Sequence, residues 1–438
     1  MADTTKWTCG VDPTSKTAKL TVSRSDLERG KPYPIKLKGL CYSPAPLNGS
    51  NKFAPAIGDW FWDNFPPISG WDALWQRDLS AIRFPAAPVT PLGVNAIRIY
   101  CMLSRQLGTD GSIPNPWNQG HLFTHRKFLD LCWNVDAPPL DRNPIFVLVG
   151  VPLPDKMFWK DKYDQTLPAE ISYWTQVLRE TAETVGQHPA VMGFTIQNEQ
   201  DGANVCYNNP EWATFWWGQV EKFAAAVKLV APDKLVGMAT HDDPNIPGKA
   251  ASYMAKCPHI DFWGVNTYQT MTFDPVFNSI PGVGPGYSGL SGAALKPVIL
   301  TEYILPATSH RNPGEPSTIY EDAATRSTTA DVIGKMLPQA YQHPISLGLY
   351  YFEFCYEWWN QPEAPNIYTW WGGTRPDGLP DGWWDQEGFG LYSIRRGNSL
   401  PNNAPIWVDN GPNTPIDVHT ERTELTAKVR QAFANVKV

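Results

Sequence analysis

Eight short apolar runs recur along this chain, each bounded by turn residues: IKLKGLCY (35–42), NAIRIYC (95–101), PIFVLVGV (144–151), VMGFTIQ (191–197), KLVGMAT (234–240), DFWGVNTY (261–268), PVILTEY (297–303) and SLGLYYFEF (346–354). Nearly continuous apolar runs of this length read as strands buried on both faces. Between them lie stretches with apolar residues at three- and four-residue spacing, which predict helices over 71–82, 124–135, 170–185, 211–230 and 321–342, with a last one over 421–437. The Gly/Pro-rich stretch 269–295 predicts at best a short helix. Ahead of the first strand, AKLTVSRS and YPIKLKGLCY around DLERGK predict an N-terminal hairpin.

Alternating strand and helix implies a parallel sheet covered by helices, and eight such units fit an α/β fold of the (β/α)8 TIM-barrel type better than a doubly wound sheet. The expected organisation is one catalytic barrel over 1–438. Residues 1–32 form an extension or hairpin, 355–415 a long active-site loop after strand eight, and 416–438 the closing helix. Loops that long in compact proteins are usually functional or disordered.

Composition narrows the partners. The formal charge of −7 and the lack of a basic run argue against nucleic acid and anionic membranes. The longest apolar run, near 145–153, is far short of the ~20 residues that cross a bilayer. The opening MADTTKWTCG lacks the basic and apolar regions of a secretion signal, so the chain as written is expected in the cytoplasm, and outside the cell if a leader has been removed. Seven cysteines without CxxC spacing read as reduced thiols. The 20 tryptophans, many in pairs such as Trp358-Trp359, include several in Pro/Gly-rich loops, where a flat apolar face with an N–H donor suits a ring-shaped, hydroxylated ligand.

In such a barrel the chemistry sits where strands end. Those ends carry Tyr42, Arg98 with Tyr100, Asn198-Glu199, His241-Asp242-Asp243, Tyr268, Glu302-Tyr303 and Glu353. Glu199 after strand four and Glu302 in strand seven are distant in sequence yet share one barrel mouth. Glycosidic cleavage asks for two such carboxyl groups, one protonated to assist the departing oxygen and one ionised to attack carbon or activate water. Arg98 and Tyr268 are expected to donate to Glu302, and Asn198 to a sugar hydroxyl beside the reacting carbon; Arg98 plugging the barrel with a salt bridge is the alternative. The HDD run offers too few ligands for a metal and reads as a polar rim. Neither metal nor cofactor is expected, and no GxGxxG, P-loop or HExxH is present.

These motifs resemble the clan A retaining glycoside hydrolases, and among them the family 72 β-1,3-glucanosyltransferases. IKLKGLCYSP, QRDLSAI with LGVNAIRIY, MGFTIQNEQ, DFWGVNTY, PVILTEY and GLYYFEF followed by GFGLY carry the resemblance, across roughly 35–392. It implies Glu199 as acid/base and Glu302 as nucleophile, with Asn198, Tyr42, Tyr100 and Tyr268 lining the subsites and Asp242-Asp243 as an acidic pair after strand five. Substrate contacts are further expected from Arg98, Trp358 and Trp359, and from Glu353 unless it faces the core. The expected partner is a β-linked oligo- or polysaccharide, cleaved or transferred through a covalent glycosyl-enzyme. Two alternatives stand beside this: a clan A hydrolase of mannan, galactan or glucuronide, and a barrel that binds carbohydrate without cleaving it.

Overall fold

The computed structural model describes residues 3–44, 59–63, 71–83, 92–105, 123–201, 205–241, 246–278, 286–310, 319–355, 375, 377–382, 388–395 and 418–437. Its centre is a closed barrel of eight parallel strands, each hydrogen-bonded to its neighbours in chain order, with the eighth returning to the first. The strands are Leu37–Cys41, Ala96–Ile99, Phe146–Gly150, Val191–Asn198, Leu235–Thr240, Phe262–Thr267, Val298–Tyr303 and Ser346–Tyr351. Every predicted strand is present.

Seven of the eight are buried almost end to end, as the near-absence of polar residues in them requires. Inside the barrel, strands one and eight approach closely because Gly39 has no side chain. A Cβ there would stand 2.4 Å from the Tyr350 ring, which fills that space instead.

The predicted helices are also present, as Trp71–Arg83, Arg126–Trp133, Pro168–Gly186, Pro210–Val230, Ala323–Gln342 and Thr423–Ala434. Their starts are chemically marked. Asn209 accepts from the Glu211 N–H ahead of Pro210, and Asp322 accepts from the Thr325 N–H. Trp216 and Trp217 face inward from their helix and are core residues. Three shorter helices, Lys160–Tyr163, Ile246–Met254 and Asp274–Phe277, complete the set among the described residues. The last of these is the short helix expected within 269–295.

Two parts differ from expectation. The N-terminal hairpin is a three-stranded antiparallel sheet, because Thr5–Val11 pairs with Ala18–Arg24, which pairs in turn with Tyr33–Pro34. This sheet caps the foot of the barrel: the Trp7 ring packs edge-on against Phe146 at 4.7 Å, and the Ala18 N–H donates to the Pro344 carbonyl. The chain after strand eight is also more than one loop and a helix. Tyr392–Arg395 pairs with Val418–Glu421 before the closing helix begins, and Arg422 ties this hairpin to Glu321 and to the Gly388 and Gly390 carbonyls.

Candidate active site at the barrel mouth

Strand four leads to the site through a break in its own ladder. Pairing with strand five skips between Thr195 and Asn198, and the Glu199 N–H donates to the Ala239 carbonyl at 2.8 Å. Glu199 itself adopts φ = 53°, a left-handed conformation that costs a non-glycine residue roughly 1 kcal/mol or more. Strand seven has a matching irregularity, with a shift against strand six between Leu300 and Glu302 that sets Glu302 opposite Asn266. Bulges of this kind re-aim side chains. Both glutamates are therefore delivered by strands that depart from regular pairing at the residue that matters.

Glu302 is 4% exposed and, among the described residues, accepts three hydrogen bonds. Arg98 Nη1 (2.9 Å) and the Tyr100 hydroxyl (2.7 Å) donate to its Oε1, and the Tyr268 hydroxyl (2.6 Å) donates to Oε2. Arg98 on strand two and Tyr100 just past its end reach it together because they are two residues apart and share a face. The guanidinium, 1% exposed, also donates from Nη1 to the Thr301 carbonyl (2.9 Å) and from Nη2 to Asn198 Oδ1 (2.7 Å). Its Cζ lies 4.5 Å from the Tyr100 ring centroid. A buried carboxylate is tolerable only with such a cation and such donors.

Glu199 has a different environment. It is half-buried and, among the described residues, accepts one hydrogen bond, from Asn266 Nδ2 at 3.0 Å. Desolvation, followed by the nearby Glu302 charge, pushes its pKa up from 4.5 to about 7. Two carboxyl groups in one mouth are thus held differently. One is clamped by a cation and two phenols, while the other is biased toward carrying a proton near neutrality.

Asn198, Glu199, Tyr100, Tyr268 and Glu302 come together as the sequence predicts. Three other candidates, Arg98, Tyr42 and Glu353, are buried, which corrects the substrate contact expected of the first two. Arg98 donates to Glu302 as expected and to Asn198 as well, but its guanidinium is buried and does not face the opening. Tyr42 is turned away: its ring lies among Phe61, Phe128 and Phe354, and its hydroxyl donates to Asp78 on the first helix at 3.0 Å. The alternation of a strand explains this, since Cys41 takes the inward face, within 3.3 Å of the Tyr100 hydroxyl. Glu353 is fully buried near Cys41 and Cys355, which agrees with the core-facing alternative. Asp242, Asp243, Trp358 and Trp359 lie outside the described residues.

Two contributors were missed. Asn266, fully buried at the end of strand six, bonds to Glu199, Asn198 and Arg98; an amide inside the otherwise apolar DFWGV run was the available signal. Arg375, from the long segment after strand eight, pairs with Asp377 and reaches the Tyr268 carbonyl at 3.4 Å, which places that part of the segment beside the site. All seven cysteines are free, and six of them are buried. Among the described residues no cluster of His, Cys, Asp and Glu fits a metal, and no helix is long and apolar enough to cross a membrane. A cleft of about 430 Å³ between the helices Arg126–Trp133 and Pro168–Gly186 lies on the outside of the barrel, away from the glutamates.

Fold and site together define a (β/α)8 barrel with a paired-glutamate mouth. No family model matches the chain, and no curated protein matches it in sequence. Among solved structures it is similar to Saccharomyces cerevisiae Gas2p in complex with laminaritetraose and laminaripentaose, at 13% identity over 99% of this chain and 68% of that one, with a TM-score of 0.47. It is also similar to ScGas2 in complex with compound 7 (13% identity, 99% of this chain, 69% of that chain, TM-score 0.49). A third similar structure is Bacteroides uniformis β-glucuronidase, at 13% identity with a TM-score of 0.42, where the match spans 79% of this chain and only 36% of the glucuronidase. The architecture is defined by the closed strand order, and the site by its own side chains.

Proposed function

We propose that this chain is a retaining β-glycoside hydrolase or transglycosylase that acts on β-glucan by double displacement. In the first step a Glu302 carboxylate oxygen attacks the anomeric carbon while Glu199 protonates the departing oxygen, so that the C–O bond breaks as the glycosyl–Glu302 ester forms. In the second step Glu199, now ionised, takes a proton from water or from a sugar hydroxyl, which attacks the same carbon and releases Glu302. The choice of β-glucan rests on the strand motifs shared with family 72.

The observation that carries the reading is the unequal treatment of the two glutamates. Glu199 is pushed up to about 7 by burial and by Glu302, whereas Glu302 is met by Arg98, Tyr100 and Tyr268. Asn266 links them, donating to Glu199 and accepting from the same Arg98 Nη1 that holds Glu302. Retention asks for a carboxyl separation of ~5–5.5 Å, narrower than the gap an inverting enzyme leaves for water.

Screening β-linked oligosaccharides and following the first-formed product anomer by NMR tests this. Net retention on a β-glucan supports the proposal; inversion would remove Glu302 as nucleophile, and retention on another glycan alone would correct the substrate.

A further inference from the structure

We propose that Asn266 is a positioning residue that fixes which oxygen of Glu199 carries the transferred proton. This deepens the reading of Glu199 as the acid/base and rests on it. Arginine only donates, so it determines the orientation of an amide that faces it. Arg98 Nη1 faces one terminal atom of Asn266 at 3.3 Å, so that atom is the amide oxygen; the Thr301 hydroxyl donates to it as well, at 2.8 Å. The NH2 group must then point the other way, to Asn198 Oδ1 (2.9 Å) and Glu199 Oε1 (3.0 Å). Asn198 is fixed by the same logic, because Arg98 Nη2 donates to its oxygen at 2.7 Å.

One consequence falls on Glu199. An oxygen that faces an N–H donor accepts there and does not hold the acidic hydrogen along that line. The proton therefore sits on Oε2, which has no hydrogen-bond partner among the described residues. When a glycosidic bond breaks, the Oε2–H bond gives its proton to the departing oxygen, which leaves with the electron pair of its bond to carbon. Asn266 gives up nothing, and its N–H then stabilises the carboxylate that results. Losing it would leave the ionised form less favoured.

Among the described residues, the other charged groups around Glu199 are Glu302 on strand seven, Asp201 in its own loop, His241 at the end of strand five and Arg98. Glu302 and Asp201 push its pKa up and His241 pulls it down, as the Asn266 hydrogen bond does.

The test compares wild type with Asn266→Ala and Asn266→Asp. The aspartate is isosteric and keeps an acceptor for Arg98 and Thr301, so it preserves the packing if the alanine variant folds poorly. Expected are an upward move of the basic limb of the kcat/KM profile, on the order of one pH unit for alanine and more for aspartate. Turnover of a natural oligosaccharide should fall by roughly tenfold, part of the roughly 10²–10⁴ that a positioned acid supplies, with a much smaller loss on an aryl glycoside that needs little protonation. Carbon-13 NMR titration of Glu199 in the same variants should show the same upward move without reference to turnover. Wild-type chain that turns over no glycoside overturns the parent reading and this one with it. Active wild type, with variants that keep its limb and lose equally on both substrates, overturns this inference alone.

Discussion

Arg98 Nη1 stands 2.9 Å from Glu302 Oε1 at the floor of the barrel mouth, with both side chains buried and the guanidinium shared with Asn198. The pair brings strand two and strand seven to one point and fixes the carboxylate proposed as nucleophile. Removing one partner of a buried ion pair leaves the other without compensation. Arg98→Met is expected to cost about 3–5 kcal/mol of stability. It should also lower kcat by a hundredfold or more, on the order expected when preorganised charge is lost. Arg98→Lys keeps the charge without the planar fork and should fall between. Denaturant unfolding and steady-state kinetics check both, and a near-wild-type Arg98→Met would mean that the clamp does not matter.

Tyr268 offers a milder lesion. Tyr268→Phe removes one donor to Glu302 Oε2 and leaves the ring and the Arg375 contact to its carbonyl in place. Hydrogen bonds to charged groups are worth about 1.5–3 kcal/mol, so kcat should drop by roughly ten- to a hundredfold. The melting temperature should change little, and KM little, since the contact is to the enzyme's own carboxylate.

The pH profile tests Glu199. Its raised pKa predicts that kcat/KM falls as pH rises through about 7, because the protonated acid disappears. Glu199→Gln should abolish that limb and slow natural substrates severely, with less loss where the leaving group is good. Stability should follow the same sign. A carboxyl raised from 4.5 to about 7 contributes stability below its ordinary value and loses it as pH climbs through the folded value, so the glutamine variant should show a flatter curve there.

At the foot of the barrel the sign reverses. Lys234 is buried, and its ammonium donates to the Thr5 hydroxyl and carbonyl, the Val191 carbonyl and the His188 carbonyl, tying the N-terminal strand to the barrel. Burial pulls its pKa down from 10.5 to about 7. A depressed lysine contributes stability above its unfolded value that is lost as pH falls through the folded one. Wild type should therefore gain stability between about pH 7 and about pH 10, and Lys234→Met should gain less. Chemical unfolding at the two ends of that window measures the difference.

The strands were legible because each is a continuous apolar run between turn residues, a pattern a parallel barrel imposes by burying both faces. Thr5–Val11 was not, since only part of it faces the core and its threonines, lysine and glycine make a weak pattern. Ile246–Met254 carries a proline and a glycine that mask its helical spacing. At the site, Glu199 and Glu302 stand out because charged residues are rare at the ends of apolar strands. Tyr42 was misread because the last residue of a strand can face either way, and only the pairing of Cys41 and Arg98 settles which. Asn266 was overlooked because its importance lies in register: strand six sets it opposite Glu302, a relationship between two chain segments that neither segment contains alone.

The central claim is that Glu302 becomes covalently bonded to sugar while Glu199 manages the proton. The most direct measurement treats the protein with a 2-deoxy-2-fluoro β-glucoside carrying an activated leaving group, then locates any added mass by peptide mapping. The account predicts one fluoroglucosyl group per chain, on Glu302, which disappears as activity returns when an acceptor sugar is added. Labelling at another residue, or an active enzyme that never labels and releases product of inverted configuration, would contradict it.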